Sequence, residues 1–477
     1  MEGLSSGKTS LMSGAAPTYD ELLDLTRRQA RTIDPLRAEI DRLEAELEEA
    51  RRAGKRQAAP FSEGPPTPHP KQPGQKPGHR PSHRPAPPPE QVSRTVEAPI
   101  PETCPHCRAP LEDVPVALHD QYQVDLPEPR PIITRFRVGV AHCPTCRRRL
   151  QGRHPEQTSQ ALGAAAVQLG PRLPSFAAAL KHRLGVPYRK AAQAIGTLCG
   201  PVIAPSALVR GGHRPRRLAQ PSYERLIEAA RGSPVQHVDE TSWKIGGRSA
   251  WLGVFADRHA TIYRIRHSRG HEVVEGVLGE GYRGVLVSDC FPAYDPLPYL
   301  KGKCSAHLLR RCSGLARSQV RGAVRFPRRV AAVLRQALAL KRRRGRIGDH
   351  GYAVVRGRVH AAWRRLLAGR YTDPDNARLA KLPREHRDRV LRFLDHDEVA
   401  ATNHLAGQEI RPAVVVRKLS AGNRTMAGAE THAVLASVLR TCARQGREIL
   451  AALTELLRRG PGHVLASDHI ARAAPTS

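Results

Sequence analysis

Aromatic residues are scarce in this chain. Phe, Trp and Tyr make up 4% of 477 residues, so any large interior has to be built from Leu, Val and Ala. Nine cysteines are too few to staple a chain of this length with disulfides. No apolar run approaches the ~18 residues that a membrane span needs. The amino terminus has no basic stretch followed by an apolar one, so no secretory signal is read there. Acids are also short: 44 Asp and Glu face 77 Lys and Arg, a net charge of +33. These shortages argue against a membrane protein and a small secreted domain, and glycine is too sparse for a collagen-like chain. What remains is a chain with length for about three domains and a charge that favours a polyanionic partner over a neutral metabolite.

The charge is uneven. Residues 1–50 carry eleven acids against six bases, whereas residues 301–370 carry twenty Lys or Arg against one acid, Asp349. An acidic head on a basic body implies separate tasks. Within the head (1–53), Ile33, Leu36, Ile40, Leu43, Leu47 and Ala50 alternate at spacings of three and four, the seam of a short coiled coil. Pro35 sets its start near Thr32 or Asp34, and Leu22 and Leu25 mark a weaker helix before it. The seam predicts a homo-oligomer; one amphipathic helix packed on its own chain is the alternative. Residues 54–101 are rich in proline and interspersed with Lys, Arg and His. They read as an extended linker, either a spacer or a basic strap along a phosphate backbone.

Residues 102–152 hold Cys104-Pro-His-Cys107 and Cys143-Pro-Thr-Cys146, 35 residues apart. Two such pairs supply the four thiolates of a tetrahedral structural Zn²⁺, and the reducing compartment this implies is cytoplasmic. A redox dithiol is the rival reading, but it requires only one pair. His106 and His142 are bystanders. Tyr122–Leu126 and Ile132–Val138 alternate like strands, completing a zinc-ribbon-like module. Residues 153–230 read as helical: Leu173–Leu184, Tyr188–Leu198, a turn at Cys199-Gly-Pro201, then Pro205–Arg210. This matches a DNA-reading helix-turn-helix, and equally any pair of packed helices.

From 231 the pattern becomes mixed α/β. Val235–Asp239, Ser249–Ala256 and Thr261–Ile265 read as three successive antiparallel strands, His271–Leu278 as a helix, and Gly284–Ser288 as a buried strand. Residues 306–400 are helical and basic. Ala413–Val416 is strand-like, and a helical region follows over 426–477. Asp239 and Asp289 each end an apolar strand. If those strands are neighbours, both carboxylates share one sheet edge and suit Mg²⁺ (or Mn²⁺), the arrangement of metal-assisted phosphoryl transfer. Asp also caps strand–turn junctions without any metal.

His237-Val-Asp-Glu-Thr-Ser-Trp243, Gly284-Val-Leu-Val-Ser-Asp-Cys-Phe-Pro-Ala-Tyr294 and Lys303-Cys-Ser-Ala-His-Leu-Leu-Arg310 resemble motifs of the insertion sequence 66 family of transposases. So do Thr402-Asn-His-Leu-Ala-Gly-Gln-Glu-Ile-Arg-Pro412, Arg417-Lys418 and Gly422-Asn-Arg-Thr425. In motif order the resemblance runs over roughly residues 20–455 and takes in the heptad helix, Lys76-Pro-Gly78 and the cysteine pairs. It implies a DDE transposase with an RNase H-like mixed sheet over 231–425, a helical insertion at about 306–400, and Asp239 and Asp289 as the first two catalytic acids. Metal-activated water would cut the transposon ends, and the freed 3′-hydroxyl would attack target DNA. The implied partners are double-stranded DNA and, potentially, accessory proteins of the same element. The implied location is the bacterial cytoplasm, at the nucleoid when bound to DNA.

The third acid departs from the pattern. The family's Glu aligns with Gly407, and the nearest acid is Glu409, taken as the candidate third catalytic residue. Two residues rotate by ~200° along a helix, so Glu409 reaches the metals only if the helix shifts. Asp397 and Glu398 have the wrong spacing. The expectation is an impaired transposase; a DNA-binding derivative without chemistry, which occupies or inhibits transposon ends, is the alternative. Arg411, Arg417, Lys418 and the cluster Arg342, Arg343 and Arg344 are the predicted DNA contacts. His307 is placed near the acids or in the core, Trp243 and Trp251 in packing, and Tyr294 in either setting.

Overall fold

The structure is a computed structural model describing residues 84–460, except 164–166 and 320, and scattered positions between 19 and 43. It divides into two units, Met1–Arg84 and Pro85–Ser477. In the first, the described positions between 19 and 43 are helical, and Ile33, Leu36, Ile40 and Leu43 are exposed. Leu22, Leu25, Leu47 and Ala50 of the expected helices, and the linker up to residue 83, lie outside the described residues.

The second unit begins without regular structure apart from a 3-10 turn at Pro89–Gln91. Two three-residue strands, β1 (Val140–His142) and β2 (Arg149–Gln151), pair antiparallel around the second cysteine pair. The strands expected at 122–126 and 132–138 do not form. Val124, Leu126, Ile132 and Ile133 are exposed, and an alternating stretch with nothing to cover its apolar side has no burial to hold it.

Helix α1 (Arg172–Ala178) continues as a π-helical turn over Ala179–Arg183. Helix α2 (Tyr188–Cys199) ends at Gly200, whose φ of 88° stops it. Helix α3 (Pro205–Arg231) starts with proline, which fits a first turn that lacks partners for its N–H groups. It is much longer than the sequence predicts and passes through Pro215 and Pro221. Leu208 packs with α1 and α2, while Ala219, Tyr223, Leu226 and Ala230 pack into the main core.

The centre is a five-stranded sheet of β3 (Val235–Ile245), β4 (Arg248–Ala256), β5 (Thr261–Arg266), β6 (Val285–Ser288) and β7 (Leu300–Lys303), in the order β5-β4-β3-β6-β7. The β3–β4 and β4–β5 pairs are antiparallel; β3–β6 and β6–β7 are parallel. Gly246 and Gly247, with φ of 57° and 80°, make the tight β3–β4 turn. Strand β3 runs six residues past the expected end at Asp239, because β4 pairs with it all the way to Ile245.

Alternation gives the sheet two apolar faces. Val238, Phe255, Ile262 and Leu286 meet α3 and α4 (His271–Leu278). Trp243, Ile245, Leu252, Val254 and Ile265 meet α10 (His404–Ser420) and α11 (Met426–Arg444). Between β7 and α10 lie five helices, α5 (Ser305–Ser318), α6 (Arg325–Arg342), α7 (Asp349–Ala368), α8 (Pro374–Glu385) and α9 (Arg387–Leu391), around Val330, Leu334 and Trp363. Helix α12 (Ile449–Arg459) closes the described chain. Ala413–Val416, read from sequence as strand-like, lies inside α10 with Pro412. Ala406, Ile410, Ala413 and Val416 follow a three-to-four spacing against the sheet, so helical burial outweighs the β-branched run. Among the described residues no helix is long and apolar enough to cross a membrane.

Candidate active site

Strands β3 and β6 are parallel neighbours in the register Val235↔Val285 to His237↔Val287. Asp239 and Asp289 both lie two residues beyond that last rung. Adjacent strands are ~4.8 Å apart, so the register brings the two acids to one end of the central pair. Asp239 is not the end of its strand; it is opposite Val254 of β4, just where β6 stops pairing. Each carboxylate accepts one local backbone bond, Asp239 from the N–H of Glu240 at 2.9 Å and Asp289 from that of Phe291 at 2.8 Å. Burial pushes the Asp239 carboxyl up to about 6, and the Asp289 charge pushes the same way. His307 and Arg310 of α5 act on Asp239 in the opposite sense.

Glu240, unremarked in the sequence, is the next residue and so points to the opposite sheet face. It accepts a hydrogen bond from the Tyr294 hydroxyl, and burial pushes its carboxyl up to about 7, with Asp289 and Asp239 adding to the rise. His307 sits beside Cys304, whose contact raises the imidazole's affinity for its proton.

Helix α10 crosses the Asp239 face of the sheet. Asn403, at its amino end, bonds His237 Nδ1 through its carbonyl at 3.1 Å and donates to the Val238 carbonyl at 2.8 Å. Near the other end, Arg417 donates to the Thr241 and Ser242 hydroxyls, both at 2.6 Å. The helix therefore runs alongside β3, with Gly407 one turn after Asn403. A Cβ at Gly407 meets nothing within 4 Å. Glu409 is buried on another side. It accepts from Thr261 at 2.8 Å and from Arg440 at 2.7 and 3.0 Å, with Arg444 at 3.9 Å. Burial raises its carboxyl, but the Arg440 and Thr261 bonds outweigh it and hold the group below the usual range. The structure thus brings Asp239 and Asp289 together and does not bring Glu409 to them.

Two neighbouring oxygen donors of this kind fit a hard divalent cation. The remaining carboxylate oxygens have no protein hydrogen-bond partner among the described residues. A third ligand is missing: among the described residues no group of three or more His, Cys, Asp or Glu side chains is disposed to hold a metal ion.

The same holds for the cysteines. Cys104 and Cys143 begin matching knuckles: each donates its N–H five residues ahead, to Ala109 or Arg148, and Arg108 and Arg147 adopt the left-handed conformation with φ of 62° and 55°. Backbone N–H groups of Cys107 and His106, and of Cys146 and Thr145, favour the thiolate of the first cysteine in each. Each pair offers two of the four ligands that a structural zinc needs, and the four are not gathered into one group.

Of the basic residues singled out in the sequence, Arg411 and Lys418 are exposed on α10, Arg417 anchors α10 to β3, and Arg342 and Arg343 are exposed at the end of α6. Arg344 is paired with Asp349 at 2.7 Å and Asp397 at 3.0 Å. Trp243 is buried and donates to Asn423 at 2.9 Å, and Tyr294 is buried against Glu240. Sequence reasoning also passed over Asn403, although its motif was noted. A polar residue at a helix start that leaves its own helix uncapped and bonds a neighbouring strand has no signature in one sequence.

The uncharacterized protein y4qI of Sinorhizobium fredii (strain NBRC 101917 / NGR234) is 25% identical over 408 residues, 78% of this chain and 72% of that protein. A model of the transposase IS66 family matches residues 166–431, more than half of the chain and the whole sheet with its acid pair. The chain therefore belongs to the IS66 family of transposases, with the DNA transposase role, nuclease/recombinase-type chemistry and general use of divalent metal that membership implies.

Proposed function

We propose that this chain is a DDE-type DNA transposase on an RNase H-like core, acting on the ends of an insertion sequence, and that its active site lacks one acid. The observation that carries the reading is the register that sets Asp239 and Asp289 at one end of the two central parallel strands. Asp239 and Asp289 are the residues that would hold Mg²⁺ or Mn²⁺. When bound, such an ion supplies charge neutralisation and activation of the attacking oxygen in phosphoryl transfer. The chain's own part is to fix the two carboxylates: the Asn403 bridge ties α10 to β3, and the local N–H bonds orient each acid. His307 and Arg310 keep positive charge beside Asp239.

The family's third carboxylate belongs at Gly407, and its absence supports a second reading, a transposon-end binder or inhibitor without chemistry. Cleavage of DNA carrying the element's ends, with Mg²⁺ or Mn²⁺, separates them. The open space at Gly407 leads us to expect that Gly407→Glu raises cleavage by about 10²-fold, the scale of one lost electrostatic group. Full activity of the unaltered chain, not raised by Gly407→Glu, overturns the missing-acid reading. No activity in either protein favours the binder.

A further inference from the structure

Arg269 precedes α4 and is exposed, yet its guanidinium packs on aromatic rings. It lies between two rings, 4.4 Å from the Trp251 centroid and 4.4 Å from the Phe291 centroid. Other arginines near the sheet have a protein partner: Arg417 has Thr241 and Ser242, Arg440 has Glu409, and Arg389 has Asp295 at 3.0 Å. Among the described residues no carboxylate, hydroxyl or carbonyl is hydrogen-bonded to Arg269. The Glu240 carboxylate, within its electrostatic reach, is bonded to Tyr294 instead. With its guanidinium carbon against two rings and no protein acceptor, Arg269 keeps its N–H fork for a ligand, and that fork matches the geometry of a phosphate. The location is specific. Phe291 is the residue whose N–H holds the Asp289 carboxylate; Trp251 lies opposite Ser242 of β3, on the Glu240 face of the sheet, so the clamp sits on the other face from Asp239 and meets the acid pair through Phe291 at the strand ends.

We infer that Arg269, clamped between Trp251 and Phe291, is a binding site for a backbone phosphate of the DNA strand that enters the acid pair. This rests on the DNA-transposase reading above. Ring stacking removes the rotamer freedom a surface arginine otherwise loses on binding, so the fork is in place before DNA arrives. A lysine keeps the charge but neither the fork nor the stacking.

Trp251 supplies the readout. Trp243 and Trp363 are fully buried, whereas Trp251 is half-buried under the guanidinium. A duplex oligonucleotide is titrated into the full chain with Ca²⁺ present, and intrinsic tryptophan emission and the salt dependence of affinity are followed together. In the unaltered protein the duplex changes the emission, and Trp251→Phe abolishes that change. Arg269→Ala removes the change and makes the slope of log affinity against log salt less steep by about 0.9, one phosphate contact. Arg269→Lys restores the slope without restoring the emission change. An Arg269→Ala protein that keeps both the slope and the emission change overturns the inference and leaves the transposase reading standing. If the unaltered chain binds no duplex, the transposase reading falls and takes the inference with it.

Discussion

Gly407 and Glu409 are two residues apart, and the rotation between them decides their roles. A Cβ at Gly407 meets only open space, while Glu409 is held by Thr261 of β5 and Arg440 of α11. Glu409 is thus a pin between α10, α11 and the outer strand. Removing one partner of a buried ion pair costs about 3–5 kcal/mol. Arg440→Ala is expected near 2–3 kcal/mol, below that range, because its side chain is 33% exposed and Arg444 is 3.9 Å from the carboxylate. Glu409→Gln costs about 3 kcal/mol, since the ion pair is lost and the amide nitrogen cannot accept where one carboxylate oxygen did. Chemical denaturation gives both numbers. The folded carboxyl lies below its ordinary 4.5, so its stabilisation is complete above that pH and is lost as pH falls through the folded value; Glu409→Gln lacks this acid loss. Introduced together with Gly407→Glu, Glu409→Gln leaves DNA cleavage unchanged. A fall of about 10²-fold in that background shows instead that Glu409 reaches the reacting phosphate.

At the scale of elements, the π-helical turn after α1 is joined to α11 by two buried imidazoles. His182 Nδ1 and His432 Nδ1 are 3.0 Å apart, Tyr188 approaches His182 at 3.3 Å, and Trp243 stacks on His432 at 5.5 Å. Burial drives His432 down to about 3 and His182 well below its ordinary 6.5, with Lys181 adding repulsion. Both rings are neutral when folded and protonate when unfolded. Stability is therefore intact above 6.5 and declines as pH drops toward the folded values. At about pH 5 one such ring costs about 2 kcal/mol. Thermal unfolding against pH is expected to show this slope, and His432→Gln to flatten it between 6.5 and about 4.5; an unchanged slope in that variant means the pair is not what titrates.

The elements that sequence reasoning read well are those whose burial is periodic: β4, β5, β6 and α4 fall within a residue of expectation. It failed where partners decide. Strand β7 is only Leu300–Lys303, with no alternation to mark it, and forms because β6 offers an open edge. The Gly422-Asn423 motif was visible but its reason was not. Gly422 has φ of 118° and a Cβ there would collide with the Lys244 carbonyl, while Asn423 exchanges backbone bonds with Lys244 and Gly246. That pair docks the α10–α11 turn on the β3–β4 turn, a contact across nearly two hundred residues of sequence. The acid pair was readable because strand ends expose carboxylates in register; the Arg269 clamp was not, because its rings come from β4 and the loop after β6.

At the scale of the molecule, a net charge of +33 says that DNA affinity falls steeply with salt, but it does not say which cations contribute. Lys341-Arg-Arg-Arg344 at the end of α6 shows how the fold sorts them. Lys341 lies in the last turn of α6, and Arg344 opens the 3-10 turn that follows it. Both reach the 396–397 turn: Lys341 donates to the His396 and Asp397 carbonyls at 2.8 and 3.0 Å, and Arg344 pairs with Asp397 and Asp349 and lies 4.6 Å from the Tyr352 ring centroid. Arg342 and Arg343 turn outward and are exposed. Two of the four cations therefore hold helices together, and two are available to phosphates. Replacing Arg342 and Arg343 with Gln is expected to make the slope of log affinity against log salt less steep by about 1.8, near 0.9 for each contact. Arg344→Gln leaves that slope alone and lowers the unfolding temperature, because it releases α7 and the 396–397 turn from α6. If Arg344→Gln flattens the slope as much as an outward arginine does, its carboxylate partners yield it to DNA, and charge here is shared between fold and ligand rather than divided between them.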